Sequence, residues 1–461
     1  MVGLVVFAAL VRGLVWAVVL PPWEGPDEPV HFSYIQRIAI DHTIPAFDHG
    51  PPDYFSVATN ASVYTTGYLP SRTREPLRKL RRDLPAFPPE KDGFAQENHG
   101  ALLGVWKYPP AYDLIATPAY LFPGLHTDTE RMYAVRAVSA VIGALAVWLV
   151  FLLISEAGAT FLIAVLGALA YSLLPMVSQA SAIANPDVLL MASLAGLAYG
   201  LLKLRRGWTW GRALPVALWA LLALLTKPIG GPAALMIIVP LLAFTPGTRA
   251  LPRRLGAIGA VVAALAVCYV AMAVAATWQL FGINGPVSSA RYGMSYLWQF
   301  YLPPLSFMDS QHAAYHAFGS LPSWRVWVET GTGFFGWLTT PMPSWAYDLS
   351  FWALVAAAAV AIAAAIRRPD RGTGAALALL IAGLANVLLL HLAELLALIQ
   401  GSPELLLQGR YLIAVIPLFV AALFQPYARI GRLGTFAAGG VLLVVAVLSV
   451  EAMNDVLVFF G

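Results

Sequence analysis

Eleven long apolar runs punctuate the chain, at about 2–20, 132–154, 159–177, 187–203, 212–226, 230–245, 255–278, 347–366, 373–398, 411–426 and 433–452. Most approach the length of about 20 residues that a helix needs to cross a bilayer core of roughly 30 Å. Inside lipid the backbone must satisfy its own hydrogen bonds, so these runs predict helices. Lys227-Pro228 and Gly230-Gly231 separate the short run 212–226 from its neighbour, which predicts a hairpin or a broken element there. Two long segments interrupt the pattern, from Pro21 to Arg131 and from Gly282 to Ala346, and both are rich in aromatic residues and proline. Such composition suits packed loops with short helices at the membrane surface. Pro29 to Ile40 reads as one of these helices. Phe32, Ile35 and Ile38/Ala39 share a face, Asp27 or Glu28 can cap its start, and Pro29 is tolerated in its first turn.

The charges between the runs predict an orientation. With a cytoplasmic N-terminus, the inner loops and adjoining span ends hold Lys203, Arg205, Arg206, Arg212, Arg249, Arg253, Arg254, Arg367, Arg368, Arg371, Arg429 and Arg432. The short outer loops hold only Lys227 and Arg410. That asymmetry is the positive-inside pattern. Both long segments then fall outside, as extracytoplasmic loops 21–131 and 282–346 of a single membrane domain spanning 1–461.

Composition agrees with this class. Hydrophobic residues make up 59% of the chain and charged residues 11%, against about 25% charged in soluble domains. The mean hydropathy is +0.72. The formal charge of +4 reflects basic loops, not a nucleic-acid surface. A lone cysteine, Cys268, excludes a disulfide framework. The first run contains Arg12 and no small-residue cleavage site, so it reads as a retained span.

The candidate chemistry gathers on the predicted outer side. Asp27 and Glu28 follow the first span, where a carboxylate can serve as general base toward a membrane-anchored substrate. Adjacent carboxylates at a helix start point different ways, so one of the two is expected to act. His31 lies one turn further on and can orient a carboxylate. Arg410, Lys227 and Arg136 offer positive charge for a lipid phosphate, Arg410 and Arg136 through a fork of donors. Asp187 opens a span after Asn185-Pro186. Tyr108, Trp337, Gln408 and Tyr411 are candidate substrate contacts, and Trp23, Trp337 and Trp345 can stack on sugar rings. His391 and Glu394 share a helix face and are expected to pair with each other or with Arg12. The basic run Arg72 to Arg82 reads as a solvated face. No metal cluster has convincing spacing, although Asp27 and Asp187 could converge on a divalent cation. No phosphate-binding or dinucleotide glycine motif is present.

The acidic pair after the first span, the Pro109-Pro110 helix entry, the arginine-bearing second span, Pro186-Asp187 and Thr226-Lys227 together resemble the GT-C superfamily of membrane glycosyltransferases. Phe335-Gly336-Trp337-Leu338, Pro343-Ser344-Trp345 and Gln408-Gly409-Arg410-Tyr411-Leu412 resemble more closely a bacterial family of predicted membrane proteins of unassigned function, usually placed among those enzymes. The resemblance implies an all-α GT-C-like fold in a bacterial inner membrane. It implies inverting transfer of a hexosyl or pentosyl unit from a polyprenyl-phosphate donor to a glycan, lipid or protein hydroxyl. Asp27 takes the position of the family's first-loop catalytic base. A flippase for lipid-linked saccharides and a ligase or polymerase using lipid-diphosphate glycans are the alternatives. The span interiors, largely Ala, Leu and Val, offer a flippase no polar path.

Overall fold

The computed structural model describes residues 2–45, 108–243, 295, 297–303, 305–308, 323–336, 339–367, 371–399 and 408–460. Among them seven helices are long and apolar enough to cross a membrane, and three shorter apolar helices accompany them. The chain is an all-α polytopic membrane protein. Its helices are α1 (Val2–Val19), α2 (Glu28–Asp41), α3 (Ala111–Tyr120), α4 (Asp128–Glu156), α5 (Phe161–Leu173), α6 (Pro175–Ala180) and α7 (Asp187–Leu204). They continue as α8 (Trp210–Leu224), α9 (Gly230–Ala243), α10 (Ser323–Thr332), α11 (Ser344–Arg367), α12 (Arg371–Ile399), α13 (Ile416–Phe424) and α14 (Arg432–Phe460). The predicted span 255–278, the basic run 72–82, Lys107, Cys268 and Trp337 lie outside the described residues.

Among the described residues helices arise at the apolar runs, and prolines redraw their ends. The run 159–177 is not one straight span: Pro175 lacks an N–H, so α5 stops at Leu173 and α6 starts anew. The run 411–426 divides for the same reason. A 3₁₀ turn at Gly409–Val415 precedes α13, Pro417 lies in the first turn of α13, and a second 3₁₀ turn at Gln425–Arg429 contains Pro426. At the start of α4, Thr127 and Glu130 form a complete capping box, which satisfies amides that would otherwise be bare. The last helix outruns its apolar stretch. Its 29 residues measure about 43 Å at 1.5 Å per residue, well beyond the hydrocarbon core. Its end reaches the small antiparallel pair β1 (Phe334–Phe335) and β2 (Thr340–Pro341).

Helices α4 and α7 form the centre, with 61% and 78% of their most apolar windows buried, against 28% for α1 and α14. The central helices are rich in Ala and Gly, which lets backbones approach closely where lipid offers no hydrophobic drive for association. The ends of the helices sort into two sets. Arg206 pairs with Glu156 at 2.6 Å, and Arg429 donates to Thr373 at 2.6 Å, so the ends of α4, α7, α12 and α13 meet at one pole. Asp27, Asp187, Lys227 and Arg410 belong to the other. The helix ends therefore alternate between poles as the loop charges predict.

A buried ion pair ties the second pole together. Arg136, on α4, donates from Nε to Glu28 Oε1 at 2.7 Å and from Nη2 to Glu28 Oε2 at 2.6 Å. Its other donors reach the carbonyls of Ala17 at 2.7 Å, Leu20 at 2.6 Å and Pro21 at 2.8 Å. All five guanidinium N–H groups are thus engaged. The Ala17 carbonyl is one that the end of α1 leaves without an intrahelical partner, and Leu20 and Pro21 follow directly after the helix. Both side chains are fully buried. Glu28 Oε1 also accepts the Ala184 amide at 3.0 Å, which adds the α6–α7 loop to the same knot. Removing one partner strands a buried charge, a loss of about 3–5 kcal/mol. We therefore expect Arg136→Met to lower the thermal unfolding midpoint of the detergent-purified chain sharply. Glu28→Gln should lower it less, because the amide oxygen can keep the Ala184 bond. Equal midpoints for wild type and Arg136→Met would refute this account.

Candidate functional site

The cleft at the second pole starts from an unusual backbone. Asp27 occupies the N-cap position of α2 but lies in the left-handed region, φ 61° and ψ 8°, and its side chain makes no capping bond. That conformation costs most residues about 1–2 kcal/mol, with Asp and Asn among the exceptions. Neighbouring bonds hold it there. Asn185 Nδ2 donates to the Pro26 carbonyl at 3.1 Å, and the amides of Val30 and His31 donate to the Asp27 carbonyl at 3.2 and 3.1 Å. Glu28, one residue on, is locked inward by Arg136. The adjacent carboxylates point apart: Glu28 into the protein, Asp27 into the cleft with its side chain 42% exposed.

Arg410 faces it. Its Nη2 lies 3.5 Å from Asp27 Oδ2, its guanidinium sits over the Tyr411 ring at 5.3 Å, and its buried Nε has no hydrogen-bond partner. The preceding glycine makes this placement possible. The Gly409 amide donates to Thr330 Oγ1 at 2.7 Å, and a Cβ at Gly409 would run into the Trp327 carbonyl oxygen. The 3₁₀ turn therefore lies directly against α10. Sequence reasoning missed Trp327, Thr330 and Gly331 as its support. The only signal in the chain was a glycine immediately before a cation, which marks close backbone approach without naming the partner.

Lys227 and Asp187 form the second charged pair, at 2.7 Å. Asp187 opens α7, and its amide donates to Asn185 Oδ1 at 2.9 Å. The Lys227 ammonium lies 5.6 Å from the centre of the Tyr108 ring. Burial works to lower the lysine's affinity for its proton, but Asp187, Tyr108 and Asp27 outweigh it and hold the pKa above the ordinary lysine value. Tyr108 is itself positioned from two sides. Its carbonyl accepts from Tyr34 Oη at 2.9 Å, and nearby the Ala111 amide donates to the Leu225 carbonyl at 2.9 Å. Burial pushes the Tyr108 phenol up from its usual range, with Lys227 acting in the opposite sense.

His31 is buried behind this layer, its ring 5.8 Å from that of Tyr108. Burial, and then the charge of Lys227, push its pKa well below the usual histidine value, so the imidazole is neutral. Its Nδ1 has no hydrogen-bond partner. Gln408 is half-buried, with its Oε1 unpartnered and its carbonyl accepting the Tyr411 amide at 3.0 Å.

The structure thus brings Asp27, Arg410, Tyr411, Gln408, Asp187, Lys227, Tyr108 and His31 to one end of the bundle. It corrects three expectations. Arg136 cannot hold a donor phosphate, because every one of its donors is engaged. Glu28 cannot serve as base, because both its oxygens are buried and bonded. Trp23 cannot stack on a sugar ring, because it is fully buried and packs edge-on against Phe32 at 5.0 Å. Of the two pairings expected for His391 and Glu394, the one with Arg12 does not form: Arg12 bonds to Ser178 and Ser449, and His391 Nε2 meets Tyr301 Oη at 2.8 Å. Trp345 is 46% exposed. Asp27 and Asp187 each face a cation, and among the described residues no three metal-binding side chains gather. The donor set does not fit a divalent cation, because each carboxylate already faces a protein cation.

Comparison with known families matches residues 10–419 to DUF2142, described as a predicted membrane protein. The chain belongs to that family. The match runs from the middle of α1 into α13, so Asp27, Asp187, Lys227 and Arg410 all lie within it. No curated protein and no solved structure matches the chain.

Two outcomes follow from this geometry. Gly409→Ala should weaken any ligand that depends on Arg410 and lower the unfolding midpoint, since the Trp327 carbonyl must move; an unchanged midpoint and affinity would show that the turn has slack. His31 gives a pH dependence. In the unfolded chain it takes up a proton below about 6.5, whereas the folded chain refuses it until much lower pH. Stability should therefore fall as pH drops below about 6.5. Unfolding midpoints between pH 7.5 and 5 should decline less steeply in His31→Asn than in wild type.

Proposed function

We propose that the chain is a GT-C-type glycosyltransferase with eleven spans, working at the extracytoplasmic face of a bacterial inner membrane. It would move a hexosyl or pentosyl unit from a polyprenyl-phosphate donor to a hydroxyl of a glycan, lipid or protein acceptor. The observation that carries this reading is the half-exposed Asp27 carboxylate, held by left-handed backbone 3.5 Å from Arg410 and sharing the cleft with Lys227. The segregation of basic loops to the opposite pole supports the orientation, with the N-terminus cytoplasmic.

The roles follow from the charges. Arg410 and Lys227 offer donors where a lipid phosphate develops negative charge as it leaves. Arg410 suits this because its contact with Asp27 is long, at 3.5 Å, so an incoming phosphate oxygen can take the carboxylate's place. Asp27 accepts the proton of the acceptor hydroxyl. The acceptor oxygen bonds to the anomeric carbon, the carbon–oxygen bond to phosphate breaks, and the electron pair leaves with the lipid phosphate. One displacement from the opposite face inverts the anomeric centre. Asp187 keeps Lys227 charged and in place. His31 and Tyr108 shape the wall behind it, while Gln408, Tyr411 and Trp337 are the remaining substrate contacts. No step uses a metal ion.

The test is transfer from a panel of radiolabelled polyprenyl-phosphate sugars by the chain reconstituted in nanodiscs. Wild type should transfer at least one sugar. Asp27→Asn should lose turnover by at least about 100-fold, the usual scale for a general base, while still binding donor. Arg410→Gln should weaken donor binding as well as rate. Normal turnover in Asp27→Asn would overturn the assignment of the base. Donor affinity unchanged in both Arg410→Gln and Lys227→Met would overturn the phosphate site.

A further inference from the structure

The loop that joins α6 to α7 holds the start of α2 at three points. A Cβ on Gly25 would collide with Ile183, so backbone and side chain lie in contact there. The Ala184 amide donates to Glu28 Oε1 at 3.0 Å, and Asn185 Nδ2 donates to the Pro26 carbonyl at 3.1 Å. The last of these bonds reaches the residue before Asp27, and it comes from a side chain that is itself buried. It joins positions 159 apart in the chain.

Asparagine does more here than its local turn requires. Its Oδ1 accepts the Asp187 amide at 2.9 Å, two residues on. That amide is among the first N–H groups of α7, which lack intrahelical partners. Serine, threonine or aspartate could make the same turn, since only an oxygen is needed. The donor that distinguishes an amide from those side chains goes to Pro26. Pro186 disfavours helical backbone at Asn185, so the link has little freedom of its own.

The consequence lies in the torsions of Asp27. The Pro26 carbonyl belongs to the peptide plane that contains the Asp27 nitrogen, and the Asp27 carbonyl belongs to the next plane. Asn185 anchors the first plane, and the amides of Val30 and His31 anchor the second. With both planes held, the left-handed angles between them, φ 61° and ψ 8°, are over-determined. That is the condition under which such backbone persists. The reference for the first plane is α7, a central helix whose most apolar window is 78% buried. The same helix end carries Asp187, which holds Lys227 at 2.7 Å. Asp27 and Lys227 therefore take their positions from one rigid element.

We propose that Asn185 is a positioning residue for the transfer: it sets the Asp27 carboxylate in register with Lys227 by tying the Pro26 carbonyl to the start of α7. The proposal rests on the transferase reading of the cleft. Asn185 acts through Asp27 and not on the substrates, so its removal is read in the rate.

Transfer by the chain in nanodiscs, from the same panel of radiolabelled polyprenyl-phosphate sugars, tests it. Asn185→Ser keeps an oxygen for the Asp187 amide and removes the donor to Pro26. It should lower kcat by about 10-fold to 100-fold, the scale of a displacement of about 1 Å, with donor affinity unchanged. Added to Asp27→Asn, it should lower the residual rate no further, because the group it positions is already gone. A kcat equal to wild type would overturn the proposal. So would a loss that multiplies in the Asp27→Asn background, which marks a general structural defect. Loss of donor affinity in place of rate would overturn it in favour of a role at Lys227. Should Asn185→Ser fail to fold, Asn185→Asp, of nearly the same shape, takes its place with the same expectations for kcat and for the double variant. Hydrogen exchange separates the proposal from the reading beneath it. If wild type transfers no sugar, the transferase reading fails, and the Val30 and His31 amides of Asn185→Ser decide. Exchange faster there by about tenfold supports Asn185 as the hold on Asp27, and exchange equal to wild type sinks it.

Discussion

The contact between Glu28 and Arg136 sets the geometry of everything at the cleft pole. It joins the end of α1, the start of α2, the first third of α4 and the α6–α7 loop through one carboxylate and one guanidinium. In water such a pair contributes little. Here both groups are fully buried, and the pair is kept because each member would be far worse alone. Its fork geometry also fixes direction. Five donors with five acceptors leave the guanidinium one orientation, and α2 inherits that orientation through Glu28. Asp27 is therefore placed by its neighbour as well as by the bonds to its own carbonyl.

The cleft itself is balanced differently. Asp27 with Arg410 and Asp187 with Lys227 make two cations and two carboxylates, formally neutral as a set. The 3.5 Å contact between Asp27 and Arg410 is long and partly exposed, whereas the 2.7 Å contact between Lys227 and Asp187 is short. An anion entering this cleft competes more easily for Arg410 than for Lys227. The neutral His31 behind them adds no further positive charge, which keeps the cations few and individually placed.

Much of the fold was legible in the sequence because lipid imposes a blunt rule: apolar runs of sufficient length become helices. The loop charges made the alternation of helix ends legible too. The breaks at Pro175 and Pro417 were visible as residues but hidden within continuous hydrophobicity. At the cleft, the position of Asp27, Lys227 and Arg410 on one side could be read from topology. The role of Glu28 could not. Its partner lies 108 residues away, and nothing local distinguishes a carboxylate that will be buried from one that will stay in water. Arg136 misled for the same reason: a cation at the mouth of a span looks alike whether it waits for a ligand or already holds one. The segment 46–107, most of the first long loop, falls outside the described residues.

The left-handed backbone at Asp27 narrows the mutational neighbourhood of this position in a way that charge alone would not. A longer acid of the same charge fits the electrostatics but not the torsion angles, since only short side chains with a carbonyl near the backbone, or glycine, enter that region readily. Drift from aspartate to glutamate therefore carries a torsional cost of about 1 kcal/mol, although the acid group survives it. The neighbouring Glu28, on ordinary helical backbone, meets no such torsional barrier. Two adjacent acids that look interchangeable on paper are thus held by unrelated constraints, one stereochemical and the other a matter of burial.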